Sequence, residues 1–370
     1  MKSDAASSSS APRAQPVWLT PALWLAIAWL LVPWVANDYW FEAILIPFLA
    51  LSLAAVGLNL LTGYAGQLSL GSAAFMAVGA YATYNFHLRV ESLPLLAAMV
   101  LGGLSATVVG MVFGLPSLRL RGFYLAVSTL AAQFFVQWAL TKFSWFSNDS
   151  ASGVIDAPQI AIGGWVADTP LRRYLFALGV VSVLTALVWR LVHTPTGRRF
   201  IAVRDHELAA RVIGVPVLRT KLLAFAISSF VIGVAGALWG FVYLRTVEPA
   251  GFNLDRSFEI LFIIIIGGLG TLRGAFLGSA LIVVFPLLLA RLGGMLFGAW
   301  FDSGVLDLCQ RIVIGACIVG FLIAEPQGLA ALWQRALRHL APLVHRRLAR
   351  KATPEPPGAD ISSAPSASTA

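Results

Sequence analysis

The sequence predicts an all-α, polytopic integral membrane protein with about ten transmembrane helices. Of its 370 residues, 58% are hydrophobic and 12% are charged, whereas soluble domains contain about 45–50% apolar and about 25% charged residues. The mean hydropathy of +0.81 also excludes intrinsic disorder over most of the chain, because disorder requires low hydrophobicity and high charge. A chain with this much apolar surface has a lipid bilayer as its solvent.

About ten apolar runs approach the length of a membrane-spanning helix, which is about 20 residues. They cover residues 17–36, 40–61, 67–86, 93–115, 122–140, 172–192, 221–244, 256–270, 272–290 and 306–324. The first run has the basic residues Lys2 and Arg13 before it, as a signal peptide does. Cleavage after Ala36 would place the bulky Trp34 where a small residue is required, so we expect a retained helix.

Basic residues concentrate on alternate connecting segments, and this pattern predicts the orientation. With the N-terminus inside, the inward segments hold 18 Lys and Arg residues and the outward segments hold seven. Inward loops of membrane proteins carry the excess of basic residues, so both termini are predicted to be cytoplasmic. The same loops account for the net charge of +9, which therefore gives no reason to expect a nucleic-acid partner.

The chain divides into one membrane domain and two tails. Residues 17–334 form the predicted transmembrane domain, in which the longest polar interruptions are an outward loop at 141–171 and an inward loop at 193–220. Residues 1–16 are rich in Ser, Ala and Pro and are predicted to be a disordered tail. Residues 335–370 are first basic and then similarly disordered.

The distribution of charged side chains excludes several kinds of chemistry. Charged residues inside the apolar runs are predicted to lie near the ends, where they can reach the membrane surface, among them Glu42, Arg190, Glu259, Arg273 and Arg311. This leaves no proton relay, no charged pore ring and no acid–base pair at mid-membrane. No Gly-x-x-x-x-Gly-Lys loop is present for ATP, and no Cys/His spacing indicates a metal site. We therefore expect no enzymatic activity, no cofactor and no metal.

Three segments resemble a known family of transport proteins. The run G-L-N-L-L-T-G-Y-A-G-Q-L-S-L-G-S-A-A-F-M-A-V-G-A-Y at 57–81 is similar to the signature of the membrane subunits of branched-chain amino acid ABC importers. L-R-L-R-G-F-Y-L-A-V-S-T-L-A at 118–131 resembles a segment of the M-type subunit of the leucine, isoleucine and valine (LIV) systems, and I-I-G-G-L-G-T-L-R-G-A-F-L-G at 265–278 resembles the family's late glycine motif. The similarity covers roughly residues 50–328 and implies an ABC importer permease fold.

The inward loop is interpreted with the help of this resemblance. From Arg204 to Val212 charged residues alternate with Ala and Leu, and Gly214 and Pro216 follow, which predicts one short amphipathic helix under the membrane. Its Glu-x-Ala-Ala-x-x-x-Gly spacing resembles the helix by which ABC permeases dock on their ATPases. The predicted docking residues are Arg204, Asp205, Glu207, Ala209, Ala210 and Gly214. The alternative is a basic loop that contacts anionic lipid.

A translocation path is predicted where glycines interrupt one apolar segment in each half of the chain, as in transporters with broken helices. The predicted path residues are Asn59, Tyr64, Gly66, Gln67, Ser69, Gly71, Ser72, Gly267, Gly268 and Gly270. An equally weighted alternative is that the small residues pack helices and the polar ones satisfy neighbouring backbone groups.

The resemblance implies a transport subunit that lacks its own ATPase site, in a bacterial inner membrane. Its implied partners are a second permease subunit, two ATPase subunits that bind the ATP, and an extracytoplasmic substrate-binding protein. Ser72, where many relatives have His, and a divergent outer loop at 147–153 leave the solute open among leucine-type amino acids, urea, amides and aromatic acids. A stand-alone secondary carrier and a non-transporting scaffold remain alternatives.

Overall fold

The computed structural model describes residues 28–90, 93–115, 123–150, 154–158, 160–162 and 165–297, together with scattered positions between 304 and 335. Within this part of the chain, eight of the ten predicted runs coincide with helices. The runs at 17–36 and 306–324 lie mostly outside the described residues. The predicted tails at 1–16 and 335–370 lie outside them as well, apart from Arg335.

The described elements form an almost entirely helical chain. A one-turn helix at Val32–Val35 precedes ten helices: α1 Asp38–Tyr64, α2 Ser72–Arg89, α3 Leu95–Gly114, α4 Phe123–Lys142, α5 Pro170–Val192, α6 Pro195–Asp205, α7 Glu207–Val212, α8 Val217–Leu244, α9 Leu254–Gly267 and α10 Leu272–Phe297. By length and composition, α1, α3, α5, α8 and the Leu272–Arg291 part of α10 could each cross a membrane. The prediction of an all-α, multi-pass membrane protein is confirmed.

Short strands and 3₁₀ turns lie on the side of the bundle at which α4 and α8 end. Strand β1 (Ile155–Asp156) pairs antiparallel with β4 (Thr246–Val247), and β2 (Ala161–Ile162) pairs antiparallel with β3 (Trp165–Val166). The 3₁₀ turns cover Ser144–Ser147 and Pro249–Phe252. The β1–β4 pair ties the 141–171 loop to the connection between α8 and α9.

The core of the bundle is α1 and α8, which are the most buried of the long apolar helices. Small residues bring the backbones together, because lipid supplies no hydrophobic drive for helices to associate. A Cβ on Gly79 of α2 would overlap the backbone of Gly233 in α8, and a Cβ on Gly236 would overlap Met76. For these positions the packing interpretation of the glycines is the one that the structure supports.

Helix α2 begins later than the sequence predicts. The predicted run starts at residue 67, but residues 65–71 are not helical and α2 starts at Ser72. The polar, glycine-containing link between α1 and α2 is therefore longer than expected. Helices α1 and α2 are separated by a seven-residue unwound segment within the signature motif.

The first turn of α2 is capped by side chains from two other helices. The Ala73 amide donates to Ser257 Oγ at 2.9 Å, and the Ala74 amide donates to Gln133 Oε1 at 2.6 Å. Gln133 Nε2 in turn donates to the Phe252 carbonyl at 2.8 Å. We call this set of Ala73, Ala74, Gln133, Phe252 and Ser257 the Gln133 clamp. Because Gln133 is the eleventh of the 20 residues of α4, α2 and α9 both begin near the middle of α4.

Helix α9 is shorter than a membrane-spanning helix and carries an ion pair near its start. Its 14 residues rise about 21 Å, which is less than the roughly 30 Å of bilayer hydrocarbon. Glu259 and its ion-pair partner Arg256 lie in the first two turns of this helix. The expectation that charged residues lie only near span ends stays a prediction at this position.

Candidate translocation and coupling site

Asn59 joins the end of α1 to the turn between α9 and α10. Its Nδ2 donates to the Thr271 carbonyl at 2.8 Å, and its Oδ1 accepts from the Gly270 amide at 2.8 Å. The Asn59 side chain is fully buried, so each of these bonds replaces one that water would otherwise make. The two predicted glycine-containing segments, one in each half of the sequence, therefore meet through a single side chain.

Arg204 at the end of α6 reaches the same place. Its Nη1 donates to the Gly63 carbonyl at 2.7 Å, and its Nε donates to Asp205 Oδ1 at 2.8 Å. The last carbonyls of a helix have no intrahelical partner, and the cation complements their partial negative charge. Gly66 has a φ of +69°, and a Cβ there would lie 2.7 Å from Arg204 Cγ. We call Asn59, Gly63, Gly66, Arg204 and Gly270 the helix-end junction.

The late glycine motif forms the tight turn that completes the helix-end junction. Gly270 has a φ of +75°, a left-handed backbone conformation that side chains with a Cβ rarely adopt. A Cβ on Gly63 would overlap the Gly270 amide, and a Cβ on Gly267 would overlap the carbonyl of Gly274. Glycine is thus required for close backbone approach between α1, α9 and α10.

The remaining predicted path residues line the unwound link and are buried in the bundle. Gln67 Nε2 donates to the Lys221 carbonyl at 3.3 Å, and Ser69 Oγ accepts from the Gly71 amide at 3.3 Å. Tyr64 and Ser72 are also buried, and Ser72 Oγ has no hydrogen-bond partner among the described residues. These hydrogen bonds agree with the alternative that Gln67 and Ser69 satisfy neighbouring backbone groups. A role of this group in translocation stays a prediction.

A cavity of about 660 Å³ lies elsewhere, between α2, α3 and α4. Its walls are almost entirely apolar, and they include Val109, Phe135 and Leu140, with Arg89 and Trp145 at the side that carries the 3₁₀ turn Ser144–Ser147. The segments 59–71 and 267–270 do not contribute to it. The cavity therefore does not coincide with the predicted path.

The predicted docking segment consists of two helices instead of one. His206 has φ −149° and ψ 92°, an extended conformation that ends α6 and precedes α7. The prediction of one helix over 204–212 is wrong, because an extended residue cannot continue the helical hydrogen-bond ladder. Arg204 and Asp205 consequently belong to α6 and the helix-end junction, while Glu207 begins α7.

Within α7, two of the predicted docking residues face the protein's own core. Glu207 Oε2 accepts from Lys221 Nζ at 3.0 Å, and Lys221 is itself buried. Ala210 is 2% exposed and packs with Val203 and Val217. These contacts anchor α7 on α8 and bury Ala210, whereas the Glu207 side chain stays 20% exposed. The docking role of both residues stays a prediction.

The outer face of α7 is apolar and exposed. Leu208, Val212 and Ile213 are 67%, 87% and 75% exposed. Ala209 lies on the same exposed side, and Gly214, with a φ of +86°, ends the segment. Sequence reasoning missed the three large apolar residues, although apolar side chains in a basic loop were the signal that could have indicated them.

Comparison with known proteins identifies the family. The model of the family described as branched-chain amino acid transport system / permease component matches residues 41–322. The chain is 28% identical over 347 residues to the high-affinity branched-chain amino acid transport system permease protein LivM of Escherichia coli K12, covering 88% of this chain and 77% of that protein. It is 26% identical to the fructose import permease protein FruG of Bifidobacterium longum, over 76% of this chain and 81% of that protein. It is also 32% identical to the autoinducer 2 import system permease protein LsrC of an Enterobacter strain, over 46% of this chain and 49% of that protein. The family match covers more than half of the chain, which therefore belongs to the permease component family of branched-chain amino acid transport systems.

Proposed function

We propose that this chain is the membrane-spanning subunit of an ATP-driven importer and forms half of its translocation path. It pairs with a second permease subunit, couples to two ABC ATPase subunits that bind the ATP, and receives solute from an extracytoplasmic binding protein. The family membership and the transport names of the relatives support this assignment. The observation that carries the coupling role is the Arg204 contact between α6 and the ends of the transmembrane helices.

The helix-end junction suggests how force passes between subunits. Helix α7 presents an apolar outer face and is anchored on α8, while α6 holds Gly63 through Arg204. An ATPase bound to α7 would move α6 and α7 together. Because Asn59 links α1 to the α9–α10 turn, that movement would reach both halves of the permease.

The solute proposed for this importer is a branched-chain amino acid or a related small polar molecule. The relative LivM is named for branched-chain amino acids, whereas FruG and LsrC are named for fructose and autoinducer 2. LivM matches a larger share of this chain than either of the others. This coverage favours the amino acid over the sugar.

Purification from the native membrane in mild detergent, followed by identification of the co-purifying chains, tests the proposed function. An ATPase with a nucleotide-binding loop and a second permease are expected to co-purify. ATP-dependent leucine uptake is then expected after reconstitution with the binding protein. Recovery of the chain alone, with leucine uptake driven by an ion gradient and independent of ATP, would identify a secondary carrier.

Replacing Arg204 with glutamine is expected to lower leucine uptake at least about tenfold while the chain still inserts. A charge-assisted hydrogen bond contributes about 1.5–3 kcal/mol, which corresponds to a factor of ten or more. Uptake and membrane abundance are measured in the same cells. Arg199→Gln, an exposed residue on α6, is the matched control and should retain uptake. Equal uptake in both variants would remove Arg204 from the coupling pathway.

The proposed orientation places α6 and α7 in the cytoplasm. A cysteine at Leu208, in a Cys309→Ser and Cys317→Ser background, should resist an impermeant thiol reagent in intact spheroplasts and react after lysis. A cysteine at the exposed Lys142 should react in both. Labelling of the Leu208 position in intact spheroplasts would reverse the topology.

A further inference from the structure

Arg256 and Glu259 form an ion pair in the first two turns of α9. The other end of α9 meets the helix-end junction, and with that end at the cytoplasmic side, as in the proposed orientation, Glu259 lies about 12 Å into the bilayer. The pair is made between Arg256 Nη1 and Glu259 Oε2, and the two side chains remain 23% and 29% exposed. The first turn of α9 is held at the middle of α4 by the Gln133 clamp. Charged side chains at this depth are rare in membrane proteins and usually mark a solute or ion route.

The face of α9 that carries Glu259 is the one left open by the described residues. Asp255, Phe258, Glu259 and Phe262 recur at helical spacing and are partly or fully exposed. The opposite face, which includes Ser257, Ile260 and Ile264, is buried. Lipid does not solvate carboxylates, so this open face is covered by a second permease subunit or by a water-filled route.

The Arg256 guanidinium has a buried donor that its ion pair does not use. Its guanidinium carbon lies 4.1 Å from the centre of the Trp239 ring, and its Nε has no hydrogen-bond partner among the described residues. A guanidinium presents five donors in a planar fork that matches a carboxylate. Glu259 supplies the complementary acceptor for an ammonium group.

We propose that Arg256 and Glu259 form a specificity site in the translocation route for a solute with an α-ammonium and an α-carboxylate group. This inference rests on the proposed transport function. Without solute, the two side chains neutralise each other. When a zwitterion binds, its carboxylate pairs with Arg256 and its ammonium group pairs with Glu259. Two ion pairs then replace the one between Arg256 and Glu259, and no unpaired charge is left in the bilayer. A neutral sugar has neither a carboxylate for Arg256 nor an ammonium group for Glu259.

The test is leucine uptake by the assembled transporter with both charges removed together. In Arg256→Gln/Glu259→Gln no unpaired charge is left in the membrane, so the protein should insert and co-purify with its ATPases as the wild type does. Leucine uptake below saturation is expected to fall at least about tenfold, because charge-assisted contacts to both ends of the amino acid are lost.

The matched control is an Arg–Glu pair between two membrane helices, Arg173 of α5 and Glu42 of α1. Glu42→Gln/Arg173→Gln should keep leucine uptake within about twofold of wild type. Wild-type uptake by Arg256→Gln/Glu259→Gln would overturn the specificity site and leave the transport function standing. An equal loss of uptake in both double variants would assign the Arg256 pair a structural role and would also overturn it. Absence of ATP-dependent uptake by the wild type itself would instead overturn the proposed function.

Accessibility of the open face provides a second, independent measurement. Phe258→Cys, in the background without native cysteines, is expected to react in membranes with a cationic methanethiosulfonate reagent, because the face lines water. Phe134→Cys, on an exposed apolar position of α4 beside the Gln133 clamp, should react far more slowly. Failure of Phe258→Cys to react faster than Phe134→Cys would place the pair outside an aqueous route and contradict the proposal.

Discussion

Replacing Asn59 with leucine is expected to lower the free energy of unfolding by about 2–6 kcal/mol and to abolish uptake. The substitution leaves the part-buried Gly270 amide and Thr271 carbonyl without their Asn59 partner, and each such group costs about 1–3 kcal/mol. The loss also separates α1 from the α9–α10 turn. The free energy is measured by titration with sodium dodecyl sulfate in detergent micelles, and uptake is measured in cells.

Asn85→Leu in α2 is the matched control for the Asn59 substitution. The Nδ2 of Asn85 donates to the carbonyls of Tyr81 and Phe146, but the Tyr81 carbonyl lies within α2 and has a backbone partner available. We therefore expect a smaller loss of stability and retained uptake. If Asn59→Leu were no less stable than Asn85→Leu, the helix-end junction would not hold the two halves together.

Replacing both Val212 and Ile213 with glutamate is expected to release the ATPase subunits. Val212 is the last residue of α7 and Ile213 follows it, and both side chains are at least three-quarters exposed, so the change should not disturb folding. Burial of apolar anchors at an interface often contributes about 2 kcal/mol or more, which is roughly thirtyfold in affinity. Retention of ATPases by the purified chain is the measurement.

The control for this substitution keeps the apolar surface. Val212→Leu/Ile213→Leu should retain the ATPases. If the segment were instead a basic loop that contacts lipid, the glutamate pair and the leucine pair would both leave ATPase retention unchanged. Glu207 is unsuitable for this test because its carboxylate pairs with the buried Lys221, and charge reversal there would place two cations side by side. Release of ATPases by the leucine variant as well would indicate a general loss of α7 packing.

Most of the membrane helices could be predicted from apolar length alone, since a bilayer imposes a minimum length and leaves few alternatives. The length of an apolar run does not predict the residue at which a helix starts within the bundle. Helix α2 begins at Ser72 because Ser257 and Gln133, distant in sequence, supply partners for its first amides. A single sequence does not show which side chains will meet at that point.

The sequence predicted which segments form the candidate site, but it predicted few of the contacts between them. Asn59, Gly66 and Gly270 were selected for their residue types, and the structure brings them together with Arg204. Arg204 itself was predicted to dock a partner, because its charge fits a surface loop as well as a helix end. Arg256 and Glu259 were not selected as site residues, because charged residues near the start of an apolar run are typical of a span end.

The Gln133 clamp has a consequence for biogenesis. Ser257 follows Ala73 by 184 residues, so at about 5–20 residues per second the ribosome needs roughly 10–40 s to make it. During that interval the Ala73 amide of α2 has no partner from α9, and an unpaired amide in hydrocarbon costs several kcal/mol. The nascent first half must therefore be sheltered in the insertion machinery or remain hydrated until the second half arrives. Premature termination after α8 would consequently yield a chain that is recognised by membrane quality control, although most of its apolar helices have already been synthesised.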